Sequence, residues 1–231
     1  MNYNFEAGEI LLLDKPLTWT SFDVVKKVRN TLRVKKIGHA GTLDPLASGL
    51  LILCTGKFTK RIDEIQAQEK EYTGTITLGQ TTPSYDLETP VSESKDISHL
   101  SPQDIKEAAN SFVGTIEQIP PIYSAVMIDG KRAYDLARKG KEAELKPRTI
   151  TIKAFEITNI EGAIISFKVI CSKGTYIRSL AHDLGQKLGV GAHLSSLVRT
   201  RIGEYRLEDA LTIEDIQQIR RAQLEANGSN S

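Results

Sequence analysis

Apolar residues along this chain follow two periods in turn, and the order of those periods excludes most folds. Residues 72–78, 149–157 and 163–171 alternate apolar with polar side chains, as half-buried strands do. Phe22, Val25, Val28 and Leu32 recur at helical spacing. So do Ile105, Ala108, Ala109 and Phe112, and again Ile177, Leu180, Ala181, Leu184 and Leu188. These segments never settle into a strand–helix–strand rhythm, which argues against a doubly wound parallel sheet. They point to an α+β fold with a largely antiparallel or mixed sheet flanked by helices. No repeat or linker-like boundary appears, so one domain is expected over 1–222, with a disordered tail over 223–231.

Turn and cap residues supply the finer boundaries. Residues 9–13 read as a short strand ending at Asp14-Lys15-Pro16, and Thr20 or Ser21, with Asp23, caps the next helix. Residues 38–49 are a loop by composition, 50–54 a buried strand, 58–67 a helix and 81–101 a long acidic loop. Ser101-Pro102 opens a helix that Gly114 ends. A strand over 122–128 turns at Asp129-Gly130, and a short helix over 132–139 closes at Gly140. A helix over 175–188, a strand within 194–207 and a helix over 212–221 complete the chain.

Several functional classes fall away. The longest apolar runs, 10–13 and 50–54, are far short of the roughly 20 residues of a membrane helix. Glu6 and Glu9 occupy an N-terminus with no basic region, so no signal peptide is expected. Two cysteines, Cys54 and Cys171, suit a reducing cytoplasm. Gly56-Lys57 fails as a phosphate loop because Leu51 and Phe58 stand where Gly and Ser or Thr are needed. Leu46 denies Ser48-Gly49 the pattern of a nucleophile elbow. His39, His99, His182 and His193 have no zinc-ligand spacing, so neither metal nor cofactor is implied. The net charge of +1 argues, as a total, against nucleic acid. Its distribution argues otherwise. Lys26, Lys27, Arg29, Arg33, Lys35 and Lys36 form a wholly basic run, and residues 131–148 are also rich in Lys and Arg, while acids gather in 86–107 and 204–215.

Two segments carry chemistry. Gly38-His39-Ala40-Gly41-Thr42-Leu43-Asp44-Pro45-Leu46-Ala47-Ser48-Gly49 sets His and Asp among glycines, although Asp-Pro is also a common turn dipeptide. Cys171-Ser172-Lys173-Gly174-Thr175-Tyr176-Ile177-Arg178 runs from a strand through glycine into a helix start, where Arg178 places a cation. With LLLDKPLTWTSFDVV, EYTGTITLGQTTPSYD and IPPIYSAVMIDGKRAYDLARKG, these segments run in order over about residues 9–203. Together they resemble the TruB family of bacterial pseudouridine synthases.

The resemblance implies a pseudouridine-synthase core, a mixed and mostly antiparallel sheet flanked by helices around a central catalytic cleft. It implies isomerisation of the T-loop uridine of tRNA to pseudouridine, without cofactor or metal, by a cytoplasmic monomer that holds the T-arm and elbow. Asp44 falls at the catalytic aspartate, acting either on the sugar or by assisting deprotonation there. An aspartate, with a reference pKa of about 3.9, is ionised at neutral pH and needs no base to activate it. Tyr72 falls at the tyrosine that stacks on the target base. Arg178 falls at the arginine paired with the catalytic aspartate, where charges about 4 Å apart attract by about 4 kcal/mol at an effective dielectric of about 20. Asp86 matches a second carboxylate in that network, Tyr176 and Leu197 line the base pocket, and His39 lies near displaced nucleotides. Lys15 and Pro16 match a first motif whose role is structural.

Two departures stand out. Thr18 occupies a position that is usually Gly in the first motif. The chain also stops soon after residue 221, so no C-terminal PUA domain is expected, and shape and phosphate contacts must hold the RNA. The alternatives are a guide-RNA-dependent synthase and a non-catalytic tRNA-binding chaperone.

Overall fold

The computed structural model describes residues 3–124, 127–128, 131–132 and 145–228. Its strands are β1 (Ile10–Lys15), β2 (Ile37–Ala40), β3 (Ala47–Thr55), β4 (Lys70–Leu78), β5 (Gln80–Thr81), β6 (Glu93–Ser94), β7 (Gly114–Gln118), β8 (Met127–Ile128), β9 (Lys131–Arg132), β10 (Arg148–Glu161), β11 (Ile164–Cys171), β12 (Ala192–Ile202) and β13 (Tyr205–Arg206). Among the described residues the α-helices are α1 (Ser21–Leu32), α2 (Ile62–Ala67), α3 (Pro102–Asn110), α4 (Ile177–Lys187) and α5 (Ile213–Gly228). The result is an α+β protein with a mixed, mostly antiparallel sheet, as the patterning predicts; β1–β3, β2–β3, β7–β10, β10–β11 and β12–β13 are all antiparallel pairs. Among the described residues no helix is long and apolar enough to cross a membrane.

The chain folds as two compact units, Met1–Tyr72 with Val198–Ser231, and Thr73–Leu197. Strands β4 and β12 each pass from one unit into the other. In the first unit the strand order is β1-β3-β12-β4, with β2 on β3 and β13 on β12. Strand β3 is buried on both faces, which is why it reads as an unbroken apolar run. Leu51 and Leu53 pack with Leu11, Leu13, Val24, Val28 and Ile216, while Leu50, Ile52 and Cys54 pack with Ala40, Ile65 and Ile202. In the second unit the order is β12-β4-β11-β10-β7. Its interior includes Phe155, edge-on to Phe167 at 6.0 Å between centroids, with Ile177, Leu180, Ala181 and Leu184 of α4.

The caps hold in atomic detail. Thr20 accepts from the Asp23 N–H while Asp23 accepts from the Thr20 N–H, and Ser101 and Asp104 repeat the exchange at α3. Other elements differ from expectation. Residues 37–40 form strand β2 rather than loop, because the edge of β3 offers them a partner, with His39 opposite Leu53. The helix expected over 58–67 is a 3-10 turn, Gly56–Arg61, followed by the six residues of α2. The long loop after 81 contains the small β5–β6 ladder. Helix α5 continues to Gly228, seven residues past the expected end. Phe22 is 66% exposed although its spacing placed it inward, and Val24 is buried instead. The buried hydroxyl of Ser21 is bonded to Leu43, which fixes the rotation of α1 and leaves Phe22 on the outer side. The expected Asp129-Gly130 turn, the helix over 132–139 and most of the basic stretch 131–148 lie outside the described residues.

Candidate active site

In the first unit, the centre of interest is the loop between β2 and β3 that carries Asp44. Asp44 is half-buried, and its carbonyl accepts from the Ala47 N–H at 3.0 Å, closing a turn around Pro45-Leu46. The loop is held by its main chain. Ser21 Oγ accepts from the Leu43 N–H at 2.9 Å and donates to the Leu43 carbonyl at 3.1 Å. The Thr18 N–H donates to the Pro45 carbonyl at 2.8 Å. Thr18 has φ +70°, a left-handed conformation that costs a β-branched residue strain and that glycine would adopt freely. The backbone of the first motif therefore keeps the shape its usual glycine suits, despite the substitution.

Lys15 lies beneath this loop, wholly buried, and its ammonium donates to the carbonyls of Pro16 at 2.9 Å and Trp19 at 2.6 Å. Burial lowers its pKa to about 8, and the carboxylate of Asp44 is the largest influence pulling it back up. Arg199, 1% exposed, donates to the carbonyls of Leu50, Gly41 and Thr42. His39 on β2 is half-buried, its Nδ1 is enclosed without a hydrogen-bond partner, and burial holds its pKa below the usual value. Tyr72, on β4, is only 7% exposed.

In the second unit, the buried pair is Arg178 and Asp86. Arg178, on the first turn of α4, is 5% exposed, and its Nε lies 3.6 Å from Asp86 Oδ2. The guanidinium also donates to the carbonyls of Tyr123 at 2.9 Å and Ser84 at 3.4 Å. Asp86 is fixed in turn: Oδ1 accepts from the Glu88 N–H, and its carbonyl accepts from the hydroxyls of Thr82 and Ser84. Tyr85 before it has φ +64°, and its ring stacks on His182 of α4 at 3.9 Å between centroids. This stack ties the Asp86 loop to the helix that carries Arg178. Tyr176 caps α4, and its N–H and carbonyl are both held by the buried side chain of Gln118. Leu197 is half-buried on β12 opposite Gly74, where any Cβ would stand 2.1 Å from the Ser196 carbonyl. Glycine is what lets β4 and β12 close there.

Asp44, His39 and Tyr72 thus belong to the first unit, and Arg178, Asp86, Tyr176 and Leu197 to the second. The acid expected as a second partner of Arg178 is in contact with it. Ser21, Arg199, Tyr85 and Gln118 are site residues that the sequence alone does not single out. Each acts on main chain or through a ring stack, and no spacing pattern marks that. Among the described residues, no three His, Cys, Asp or Glu side chains cluster as a metal site requires.

Known structures share this fold. The chain resembles the structure of a Cbf5-Nop10-Gar1 complex with 33% identity and a TM-score of 0.73, covering 93% of this chain and 54% of that one. The archaeal box H/ACA sRNP Nop10-Cbf5 complex matches with 28% identity and a TM-score of 0.72, over 96% of this chain and 57% of that one. The chain thus spans little more than half of those solved chains. The match to a family model over residues 29–177 puts the chain in a class, the pseudouridylate synthases. A model described as TruB family pseudouridylate synthase (N terminal domain) matches residues 29–177, and one described as tRNA pseudouridylate synthase B C-terminal domain matches 178–228. The chain belongs to the TruB family. It is 54% identical to the tRNA pseudouridine synthase B of Phocaeicola vulgatus over 91% of this chain and 92% of that protein. With that of Bacteroides thetaiotaomicron it shares 50% identity over 99% and 100%.

Proposed function

We propose that this chain is a tRNA pseudouridine synthase that isomerises the T-loop uridine at position 55 of tRNA. The observation that carries the reading is Asp44 on a loop fixed by its main chain, in a chain 54% identical to a tRNA pseudouridine synthase B over nearly the full length of both. The reaction breaks the N1–C1′ bond, turns the base, and forms a C5–C1′ bond; a proton leaves C5 and one is gained at N1, so no co-reactant is consumed.

In this reading Asp44 acts at the sugar or assists deprotonation there. Arg178, steadied by Asp86, is the arginine that the family resemblance assigns to the site. Tyr72 stacks on the uracil, Tyr176 and Leu197 line its pocket, and His39 faces the displaced nucleotides. The enzyme works as a cytoplasmic monomer on the T-arm and elbow. Exposed Lys26, Arg29, Arg33, Lys35 and Lys36 on and after α1 supply phosphate contacts. A guide-RNA-dependent activity fits less well, because the chain is 50–54% identical to proteins named tRNA pseudouridine synthase B.

The test is an unmodified tRNA transcript incubated with wild type and with Asp44→Asn, followed by mapping of pseudouridine. Product at the T-loop uridine from wild type alone supports the reading. Product from Asp44→Asn at the wild-type rate overturns the role of Asp44, and binding without product from wild type supports a chaperone instead.

A further inference from the structure

We infer that Arg199 is a positioning residue for the Asp44 loop, an inference that rests on Asp44 being the reacting carboxylate. Its guanidinium donates through Nε to the Leu50 carbonyl at 2.8 Å, through Nη2 to Gly41 at 3.1 Å and through Nη1 to Thr42 at 3.4 Å. Gly41 and Thr42 enter the loop and Leu50 leaves it, so one planar group ties both stems together. The geometry suits the fork: a lysine presents its donors from a single nitrogen, whereas the planar guanidinium reaches carbonyls at both ends of the loop through three nitrogens.

Three further observations point the same way. Arg199 is 1% exposed, so its charge has been taken out of water, a cost that an apolar side chain of similar size would avoid. All three bonds go to main chain, so what the residue secures is the path of the loop. The loop exit also presses directly on Arg199. Gly49 has φ +96°, and a Cβ there would stand 2.5 Å from the Arg199 carbonyl. Catalysis by a fixed carboxylate is steep in position, since a misplacement of about 1 Å costs on the order of 100-fold in rate. Ser21 holds the middle of the loop and Arg199 its two ends.

The experiment compares wild type, Arg199→Lys and Val28→Ala on an unmodified tRNA transcript. It measures single-turnover pseudouridine formation, tRNA dissociation constants, melting temperature, and hydrogen exchange of the peptide spanning 41–50. Val28, wholly buried on α1 of the same unit, supplies a loss of stability away from the loop. Arg199→Lys is expected to lose on the order of 100-fold in single-turnover rate, with tRNA affinity within about twofold and faster exchange across 41–50. Val28→Ala is expected to keep its rate at temperatures where it is folded. A rate for Arg199→Lys no lower than that of Val28→Ala overturns the inference, as does a loss of rate explained by lost affinity. If Arg199→Lys does not fold, Arg199→Gln, which keeps a planar donor, carries the same comparison; failure of both to fold overturns positioning in favour of a purely structural role. Wild type without product overturns the proposed function itself, a result distinct from every one of these.

Discussion

Lys15 offers a prediction whose size follows from the structure. A lysine ordinarily titrates at 10.5; burial brings this one to about 8 in the folded protein. Below about pH 8 it is protonated in both states, and the folded protein bears the full cost of the buried charge. Between the two values the unfolded chain still holds a proton that the folded chain has released, so stability rises with pH. Relative to Lys15→Met, wild type should gain about 2 kcal/mol between about pH 7 and about pH 9.5, and about 3 kcal/mol by about pH 10.5. Losing the hydrogen bonds to Pro16 and Trp19 offsets the variant's curve but leaves its slope, and other titrating groups cancel in the difference. The assay is urea unfolding of both proteins across that range, comparing midpoints at constant m. Asp44 is the largest influence keeping the proton on Lys15, so Asp44→Asn should move the rise to lower pH. A difference that stays flat, or that turns against wild type as pH rises, would refute the coupling of burial, Lys15 and Asp44.

Tyr72→Leu should lower turnover strongly while tRNA affinity changes little; a large loss of affinity with normal turnover would remove its stacking role. Asp86→Asn takes away the carboxylate charge beside buried Arg178 and should cost about 3 kcal/mol in urea unfolding, together with a loss of rate. Replacing Lys26, Lys27 and Lys35 together should weaken tRNA binding and reduce the slope of log affinity against log salt by about 2. An unchanged slope would place the RNA on another surface.

The sequence and the structure agree where local chemistry decides. Thr20 with Asp23 and Ser101 with Asp104 are read directly as capping boxes, and the alternation of 163–171 is a strand because its odd residues, from Ile165 to Cys171, face the core. Agreement ends where a distant partner decides. His39 sits in a glycine-rich stretch that composition reads as loop, yet β3 recruits it into a ladder. Phe22 matches the helical period, yet one hydroxyl bonded 22 residues away turns it outward. The site divides in the same way. Asp44 and Arg178 stand in recognisable motifs, whereas Arg199 serves carbonyls nearly 160 residues earlier in the chain and leaves no trace in local spacing. The strain at Thr18 shows the converse, a departure from the motif in sequence that the backbone absorbs.

The Asp44 loop is gripped at its peptide groups, and this bears on how it can vary. Carbonyls at 41, 42, 43 and 45 are the same whatever side chain they carry, so Ser21, Arg199 and the Thr18 N–H hold a path that is indifferent to most of the residues along it. Exposed Thr42, Pro45 and Leu46 can drift without moving the carboxylate, whereas a single change at a remote anchor displaces it. The tolerance of this loop to mutation is therefore set outside it, and a scan for loss of activity should find its most sensitive silent partners at positions 21 and 199.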